Sequence, residues 1–310
     1  MKLVILDSLT LGNVDLECFK DFGELSVYAH TAPDEVIERC LDAQIIITCK
    51  VSFDAHTLSS LPNLKLIALT STGTNIIDLV KAQELGIEVK NVAGYSTNAV
   101  AQHTLMLVLA LLGNLPFYDF YCKSSQWCES LVFTHITEGC WELEGKKWGI
   151  IGLGNIGKRT ATIAQALGAE VSYHSTSGNN LCSDFVHQSL EELLRNSDII
   201  SIHAPLNPQT YHLIDSSKLA LCKDNAIIVN VGRGGIIDEE ALAARMLTSH
   251  IKFGGDVLEK EPMQNNHPLL HPTLTHRLIL TPHTAWAYQE TRQRLMQRVY
   301  ENIKNFLQSQ

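Results

Sequence analysis

The sequence lacks the features that mark several large classes of protein. It has 24 Lys and Arg against 33 Asp and Glu, a formal net charge of −9, and no dense basic run. A general nucleic-acid-binding protein normally presents a basic face, and this composition argues against one. The longest notable apolar run, residues 105–112, has eight residues, whereas a membrane-spanning helix needs roughly 20. We therefore expect neither a nucleic acid nor a membrane as partner.

Signals of secretion and of disulfide bonding are also missing. The first ten residues hold one Lys and a short apolar stretch that Asp7 ends, without the longer apolar region of a signal peptide. Eight cysteines are present, but no two have CxxC spacing. Scattered single thiols of this kind stay reduced in the cytosol. We expect a cytoplasmic protein with reduced cysteines.

Metal-ligand patterns are absent too, because the sequence has neither an HExxH motif nor paired-cysteine spacing. His267 and His271 are four residues apart, a spacing that places two side chains on one face of a helix. Pro268 and Pro272 follow them directly, however, and proline disfavours a helix there. The sequence predicts no metal site.

Short apolar runs alternate regularly with helix-like segments. At about 150 residues per domain, the 310 residues favour two domains. Five strand-like runs occupy residues 3–6, 25–29, 44–49, 64–70 and 86–92. A second series of strand-like runs begins at Lys146. Because this alternation is typical of parallel sheets covered by helices, we predict an α/β fold with two Rossmann-like or flavodoxin-like lobes.

The segment between the two series has two parts. Nearly continuous small and apolar residues predict a long buried helix from about Asn98 to Leu112, which Gly113 and Pro116 end. The next thirty or so residues carry many aromatics without clear periodicity, so we predict an irregular segment. It is either a subunit interface or domain-crossing arm, or an ordinary packed loop, and the sequence leaves both open. Near the chain end, residues 286–307 predict one amphipathic helix.

A glycine-rich turn opens the second series. Residues 152–157 read GLGNIG, follow an apolar strand and begin a helical run. In a dinucleotide-binding fold, Gly152 would make the tight turn, Gly154 would let a diphosphate approach the backbone, and Gly157 would let helix and strand pack closely. Free N–H groups at the helix start would then bind the phosphates. The strand–turn–helix context favours a dinucleotide site over a ligand-free turn.

The residues after the next strand leave the choice of dinucleotide open. NAD-type sites usually place Asp or Glu about 20 residues after the glycines, to bind the ribose hydroxyls. Here the strand at residues 170–174 is followed by Ser175 and Thr176, without a carboxylate and without Arg or Lys. Hydroxyl groups and a histidine can bind either a ribose or a 2′-phosphate. The residues therefore do not decide between NAD and NADP.

Six blocks follow one another in a recognisable order. They are STGTN (71–75), GLGNIG (152–157), HAPL (203–206), NVGRGG (230–235), DVLEKEP (256–262) and TPH (281–283). With them the chain resembles, over essentially its whole length, the D-isomer-specific 2-hydroxyacid dehydrogenases, and among these the glycerate dehydrogenases (hydroxypyruvate reductases). The HTAW stretch ending at Trp286 looks like that of glycerate dehydrogenases. Trp286 would then wall a small-substrate pocket, although core or interface packing is an alternative.

The resemblance implies a domain organisation and a cofactor. A substrate domain would comprise residues 1–98 and 287–310, a NAD(P)-binding Rossmann domain would comprise residues 99–286, and the protein would be a homodimer. The cofactor would be NAD, with NADP not excluded. The residues that the resemblance assigns to cofactor binding are Thr97, Gly152, Gly154, Asn155, Ile156, Gly157, Ser175, Thr176, His203, Ala204, Pro205, Thr210, Val231, Gly232, Arg233, Asp256 and His283. Of these, Asp256 would lie near the nicotinamide, and His203 would be structural or adjacent to the cofactor.

The resemblance also implies a catalytic set. His283 would exchange a proton with the substrate oxygen, because a histidine titrates near neutral pH. Glu261 would fix its tautomer and stabilise the imidazolium, although without the family it reads as a solvated charge. Arg233, between glycines after a strand, has a planar guanidinium that suits a carboxylate with an adjacent carbonyl. The alternative for Arg233 is a surface arginine on a loop.

A loop of the first domain completes the expected substrate site. Thr72, Gly73 and Thr74 match the loop whose backbone N–H groups bind the substrate carboxylate in the family, and Gly73 permits close approach of a ligand. A plain turn is the alternative. Substrate binding is thus assigned to these three residues together with Arg233 and His283. Closure of the two lobes would exclude water from the reaction.

We expect an oxidoreductase that reduces hydroxypyruvate to D-glycerate, and also glyoxylate. Another small 2-keto acid, as in D-lactate or phosphoglycerate dehydrogenases, is an alternative. A phosphorylated substrate would need extra Lys or Arg near the first-domain loop to bind its phosphate, and residues 71–77 contain neither. A non-catalytic NAD-sensing scaffold, like the corepressors among the relatives of this fold, is a further alternative from fold-level analogy.

Overall fold

The computed structural model describes all residues from Met1 to Gln310. The chain divides into two compact units. Unit 1 comprises Met1–Ser96 and Ala287–Gln310, and unit 2 comprises Thr97–Trp286. Each unit contains one sheet in which every pair of neighbouring strands is parallel. The predicted α/β fold with two parallel sheets is confirmed.

Twelve strands form the two sheets. They are β1 (Lys2–Ile5), β2 (Glu24–Val27), β3 (Ile45–Thr48), β4 (Leu66–Leu69), β5 (Glu88–Lys90), β6 (Lys147–Ile151), β7 (Glu170–His174), β8 (Val186–His187), β9 (Ile199–Ile202), β10 (Ile227–Asn230), β11 (Lys252–Gly255) and β12 (Leu278–Leu280).

Ten α-helices accompany the strands. They are α1 (Val36–Cys40), α2 (Ala55–Ser59), α3 (Leu79–Glu84), α4 (Thr97–Leu112), α5 (Leu115–Lys123), α6 (Asn155–Ala166), α7 (Leu190–Asn196), α8 (Ser216–Leu219), α9 (Glu239–Leu247) and α10 (Gln289–Gln308). Six short 3₁₀ turns lie at 8–11, 17–22, 33–35, 126–129, 268–270 and 272–277.

Unit 1 has the strand order β2-β1-β3-β4-β5, which is the flavodoxin-like order of doubly wound sheets. All residues of β3 and β4 are buried, as expected for parallel strands covered on both faces. Helix α10 contacts β4 and buries Leu295, Val299 and Ile303. Arg294 of this helix donates to the carbonyl of Tyr95 at 2.9 Å. The two separate chain segments of unit 1 therefore form one core.

Unit 2 has the strand order β12-β11-β10-β9-β6-β7-β8. The chain runs outward from β6 through β8 and then returns to build the other half from β9, so strand order reverses between β6 and β9. In open α/β sheets, ligands bind outside the carboxyl ends of the strands at this reversal. Because the strands are parallel, the segments that follow β6, β7, β9, β10, β11 and β12 all lie along one edge of the sheet.

The helix predicted for residues 98–112 is present as α4, and most of its side chains are buried. The irregular segment predicted after it is only partly irregular, because residues 115–123 form α5 with a proline in its first turn. Proline is tolerated there, since the first-turn N–H groups have no helical partner. Pro116 thus belongs to the start of a new helix rather than only to the end of the previous one.

The C-terminal helix is also shorter at its start than predicted. It begins at Gln289 and not near Trp286, because the backbone of Tyr288, the residue directly before the helix, is extended. Trp286 is half-buried and packs against the core of unit 2. The aromatic residue therefore belongs to the preceding turn, as does His283.

A buried lysine fixes the segment that follows α4. Lys252 is 4% exposed and donates to the carbonyls of Leu111 and Gly139, both at 2.8 Å, and to Asn114 Oδ1. Burial lowers the pKa of Lys252 to about 8. Its ammonium group thereby joins the end of α4 to the segment that returns towards β6.

No single helix is long and apolar enough to cross a membrane. Only α4 and α5 taken together reach that length and composition, and they are bent by 63° relative to each other.

Candidate active site

The glycine turn after β6 has three different steric constraints. Gly152 has φ of +90°, and a Cβ there would lie 2.8 Å from the backbone nitrogen of Ala204. A Cβ on Gly157 would lie 2.2 Å from the carbonyl oxygen of Gly152. A Cβ on Gly154, in contrast, would meet nothing within 4 Å. The first and third glycines are therefore required by the protein itself, and the second leaves open space above its backbone.

The helix start beside this space is free to bind an anion. Helix α6 begins at Asn155, and its N-cap, Gly154, has no side chain to bond the first-turn N–H groups. The N–H groups of Asn155 and Ile156 therefore point out of the helix start with its partial positive charge. Open space at Gly154 next to unpartnered donors fits the diphosphate of a dinucleotide.

Two polar atoms at the same sheet edge are buried without a partner. Ser175 follows β7 and is 7% exposed, and its Oγ has no hydrogen bond. His203 follows β9; its Nε2 lies 3.0 Å from Ser201 Oγ, while its buried Nδ1 has no partner. Burial lowers the pKa of His203 to about 3, so its ring is neutral. Orphaned buried polar atoms are rare in proteins, and these two fit a polar ligand in the crevice.

The remaining residues expected at the cofactor have structural contacts. Ala204 lies against Gly152, and Thr210 is buried with its hydroxyl donating to the carbonyl of Pro205 at 2.7 Å. Val231 is buried in the core of unit 2, and Thr97 is the first residue of α4. The loop from 204 to 210 is thus held in shape by Thr210.

Arg233 lies on a loop that its own neighbours fix. After β10, the Asn230 side chain accepts from the N–H of Gly232 at 3.0 Å and donates to the carbonyl of Arg233 at 2.9 Å. A Cβ on Gly234 would lie 1.9 Å from the carbonyl oxygen of Leu258. The Arg233 side chain is exposed, with one hydrogen bond to the carbonyl of Gly232. The guanidinium therefore extends into solvent from a closely packed backbone.

The loop against which Gly234 packs carries Glu261. The Oε1 atom of Glu261 accepts from the N–H of Leu258 at 3.1 Å, and its Oε2 lies 2.7 Å from His283 Nδ1. A carboxylate accepts hydrogen bonds only, so Nδ1 carries a proton and Nε2 is the ring nitrogen left to exchange one. The structure thus places together two residues that are 22 positions apart in the sequence.

Asp256 builds the turn that holds His283. Its buried carboxylate accepts from Thr281 Oγ1 at 2.6 Å, from the N–H of Thr284 at 2.8 Å and from the N–H of Ala285 at 2.9 Å. The N–H of His283 donates to the carbonyl of Asp256 at 2.8 Å. His283 has φ of +54°, a left-handed conformation that is uncommon outside glycine. Four hydrogen bonds to one aspartate enforce that conformation.

Sequence reasoning missed two residues of this site. His103 of α4 is buried and its Nε2 lies 2.9 Å from Thr281 Oγ1; desolvation lowers the pKa of His103, and nearby Asp256 opposes that shift. Asn230 fixes the Arg233 loop. Asn230 is the first residue of the block NVGRGG, and its place in that block was a signal for its role. Nothing in the sequence connects His103 with residue 281.

The expected substrate loop lies in unit 1, directly after β4. Thr72 Oγ1 donates to the carbonyl of Val92 at 3.1 Å, and Asn91 donates to the carbonyl of Thr72. The N–H groups of Gly73 and Thr74 make no backbone or side-chain hydrogen bond within the chain. The loop therefore has a fixed backbone with free donors, as a carboxylate-binding turn needs. No cluster of three or more metal-ligating side chains occurs.

Comparison with known proteins decides the family. The profile described as "D-isomer specific 2-hydroxyacid dehydrogenase, NAD binding domain" matches residues 105–285. The chain belongs to the D-isomer specific 2-hydroxyacid dehydrogenases. It is an oxidoreductase with the NAD-binding domain of that family, and the resemblance inferred from the six sequence blocks is confirmed.

Relatives of this dehydrogenase match over nearly the whole chain. A putative 2-hydroxyacid dehydrogenase of Haemophilus influenzae is 37% identical, over 99% of this chain and 98% of the relative. A hydroxypyruvate reductase of Blautia hydrogenotrophica is 34% identical over 99% and 97%. A glycerate dehydrogenase of Methylorubrum extorquens is 35% identical over 99% and 96%.

Solved structures of similar proteins contain dinucleotides. A D-lactate dehydrogenase of Aquifex aeolicus, complexed with NAD and lactic acid, is 26% identical with a TM-score of 0.84 and covers 100% of this chain and 96% of its own. An acyclic imino acid reductase complexed with NADPH and D-Arg is 28% identical with a TM-score of 0.87, over 100% and 98%. Both dinucleotides therefore occur in proteins with this dehydrogenase's fold.

Two glycine variants of the dehydrogenase should separate folding from cofactor binding. Gly154→Ala adds a methyl group to open space, so the melting temperature should stay within about 2 °C while the Kd for NADH rises about tenfold or more. Gly157→Ala forces a methyl group against the carbonyl of Gly152 and should lower the melting temperature. Thermal unfolding and NADH fluorescence titration measure both. An unchanged Kd in Gly154→Ala would contradict the placement of the diphosphate.

Proposed function

We propose that this dehydrogenase reduces hydroxypyruvate to D-glycerate, and glyoxylate to glycolate by the same chemistry. The hydrogen bond of 2.7 Å between Glu261 and His283 carries the proposal, because it prepares a proton donor beside the loop of Arg233. The relatives named hydroxypyruvate reductase and glycerate dehydrogenase support the choice of substrate.

His283 is the proposed general acid. In the direction of reduction, protonated His283 gives the proton on Nε2 to the substrate carbonyl oxygen, which becomes the hydroxyl group. Glu261 stabilises the imidazolium and keeps the proton of Nδ1 in place. When bound, the reduced nicotinamide cofactor supplies the hydride that the keto carbon takes up. One hydride and one proton thus convert the carbonyl group into an alcohol.

Arg233 and the loop of residues 72–74 are the proposed binders of the substrate carboxylate. The guanidinium has a fork of N–H donors that suits a carboxylate and the adjacent keto oxygen. In unit 1, the free N–H groups of Gly73 and Thr74 supply further donors. On this assignment unit 1 is the substrate domain and unit 2 the cofactor domain, and Asp256 acts by holding the turn of His283.

Turnover with a set of keto acids tests this function. The wild type should oxidise NADH or NADPH with hydroxypyruvate faster than with pyruvate, measured at 340 nm. His283→Ala removes the proton donor and should lower kcat about 1000-fold. His250→Ala removes an exposed histidine whose side chain has no partner and should leave kcat unchanged. If no keto acid is reduced while a dinucleotide still binds, a sensing scaffold is the better account.

We further propose that the dehydrogenase binds NADH and NADPH with similar affinity. The turn after β7 reads Ser175-Thr176-Ser177-Gly178. It has no carboxylate to accept bonds from the ribose hydroxyls and to repel a 2′-phosphate. It also has no Arg or Lys to attract that phosphate. The buried Ser175 hydroxyl without a partner is a donor and an acceptor, and can bond either group.

Binding measurements on two variants test the cofactor proposal. In the wild type, the Kd values for NADH and NADPH should agree within about tenfold, or 1.4 kcal/mol. Ser175→Asp should weaken NADPH binding about 30-fold or more by like-charge repulsion. Thr176→Arg should strengthen NADPH binding by pairing with the phosphate. A wild-type preference above about 100-fold for either dinucleotide would contradict the proposal.

We propose that a second copy of this chain covers the segment from Leu115 to Ile136. Apolar side chains stand exposed along it, and Leu131, Phe133 and Ile136 are at least 86% exposed. A contiguous exposed apolar surface marks an interaction site. The exposed large apolar residues of this segment are Leu115, Phe120, Trp127, Leu131, Val132, Phe133 and Ile136.

The mass in solution tests the homodimer. Light scattering after gel filtration should give twice the chain mass of 34.4 kDa. The double variant Leu131→Glu, Phe133→Glu should give monomers, because charges do not tolerate burial in an apolar interface. Leu9→Glu changes a residue of unit 1 that is 74% exposed and should remain dimeric. A monomeric wild type would rule the interface out.

A further inference from the structure

A buried carboxylate outside the proposed catalytic set contacts the loop that carries Glu261. Glu239 is the first residue of α9 and is 9% exposed. Its Oε1 accepts from the backbone N–H of Glu259 at 2.8 Å, and its Oε2 lies 2.8 Å from His267 Nε2. A glutamate at a helix start is ordinary, but this side chain leaves its own helix and binds a backbone N–H twenty residues away.

The contact with His267 fixes how Glu239 is held. His267 Nδ1 accepts from the N–H of Leu269 at 3.3 Å, so the proton of the neutral ring lies on Nε2. Nε2 therefore donates to Glu239 Oε2. Both carboxylate oxygens of Glu239 are used, one on a side-chain donor and one on the loop.

The loop between Val257 and Pro262 is bound by two carboxylates at successive positions. The N–H of Leu258 donates to Glu261, and the N–H of Glu259 donates to Glu239. The Glu259 side chain points elsewhere: it accepts from Tyr211 Oη at 2.9 Å and lies 3.2 Å from His212 Nε2. The backbone next to Glu261 is therefore held in place by helix α9, through the side chain of Glu239.

The same loop also limits where Arg233 lies. The Leu258 carbonyl would be 1.9 Å from a Cβ on Gly234, so the two backbones are in close contact. His212 donates from its N–H to the carbonyl of Gly235 at 2.8 Å. A shift of residues 258–259 would therefore displace Glu261 and push on the loop that carries Arg233.

We infer that Glu239 is a positioning residue of the proposed reaction, which acts by anchoring the Glu259 backbone so that Glu261 stays in contact with His283. It lies outside the set of groups that touch substrate or cofactor. The inference rests on the proposed function, because it assigns a kinetic role through Glu261. Glu239 stands in none of the six sequence blocks that carry the family resemblance, and only the fold brings its side chain close to its partners.

Kinetics of Glu239 variants test the inference. Glu239→Ala frees the Glu259 N–H and should lower kcat about 10- to 100-fold through misplacement of Glu261. The Kd for NADH should not change, because the glycine turn is not in contact with residue 239. Glu239→Gln keeps an oxygen for the Glu259 N–H and should retain most of the activity. Glu240→Ala removes the exposed neighbouring glutamate and is the matched control.

The hydrogen bond between Glu261 and His283 separates positioning from general stability. The proton on His283 Nδ1 lies in that bond, 2.7 Å from Glu261 Oε2, and its NMR signal reports the contact directly. Loosening of Glu261 should move or broaden this signal in Glu239→Ala and leave it unchanged in Glu240→Ala.

The outcomes distinguish this inference from the proposed function. If wild-type turnover with keto acids is absent, the function fails whatever residue 239 does, and the NMR signal of the His283 Nδ1 proton still reports whether Glu239 positions Glu261. If the wild type is active and Glu239→Ala loses only thermal stability, with unchanged kcat and an unchanged NMR signal of the His283 Nδ1 proton, Glu239 is merely structural and the inference is wrong. Loss of activity in Glu239→Gln equal to that in Glu239→Ala would also overturn it.

Discussion

The parallel arrangement of buried strands in unit 2 is the constraint on which the site depends. Parallel strands place all their carboxyl ends at one edge of a sheet, so the turns that follow β6, β10, β11 and β12 lie along the same edge although they are far apart in sequence. The chemistry is therefore confined to turns of a few residues, and side chains must hold those turns in shape.

Those turns are held mainly by carboxylate and amide side chains. Asp256 accepts from three groups of the turn at 281–285, Asn230 clamps residues 232–233, and Glu239 binds the N–H of Glu259. A charged acceptor bonds a backbone N–H more strongly than a neutral one does. All three of these side chains are buried, so water has little access to the bonds that they make. Rigid turns of this kind allow a positive φ at His283 without a glycine.

Much of this could be predicted from the sequence, and the limits have physical causes. The strands of both sheets and the glycine turn carry local signals, since apolar runs and glycines at fixed spacing are visible in the chain. The β8 strand has two residues, too few for a pattern. Helix α5 was not predicted because Pro116 is compatible both with the end of the preceding helix and with the first turn of a new one. The site residues themselves came from the family resemblance, since Glu261 alone is indistinguishable from a solvated charge.

The residues that only the fold identifies share one property: their partners are backbone groups or side chains far along the chain. Glu239 acts on an N–H at residue 259, and His103 meets the hydroxyl of Thr281 across 178 positions. Every residue except proline carries the same backbone N–H, so no sequence motif marks the residue that binds one. Motifs therefore mark the groups that touch ligands, whereas the groups that hold those motifs in place are determined by topology. In this dehydrogenase, the groups that hold the motifs in place are largely hydrogen-bond acceptors at the carboxyl edge of one sheet. Glu239 is a further acceptor of this kind, and it lies on helix α9.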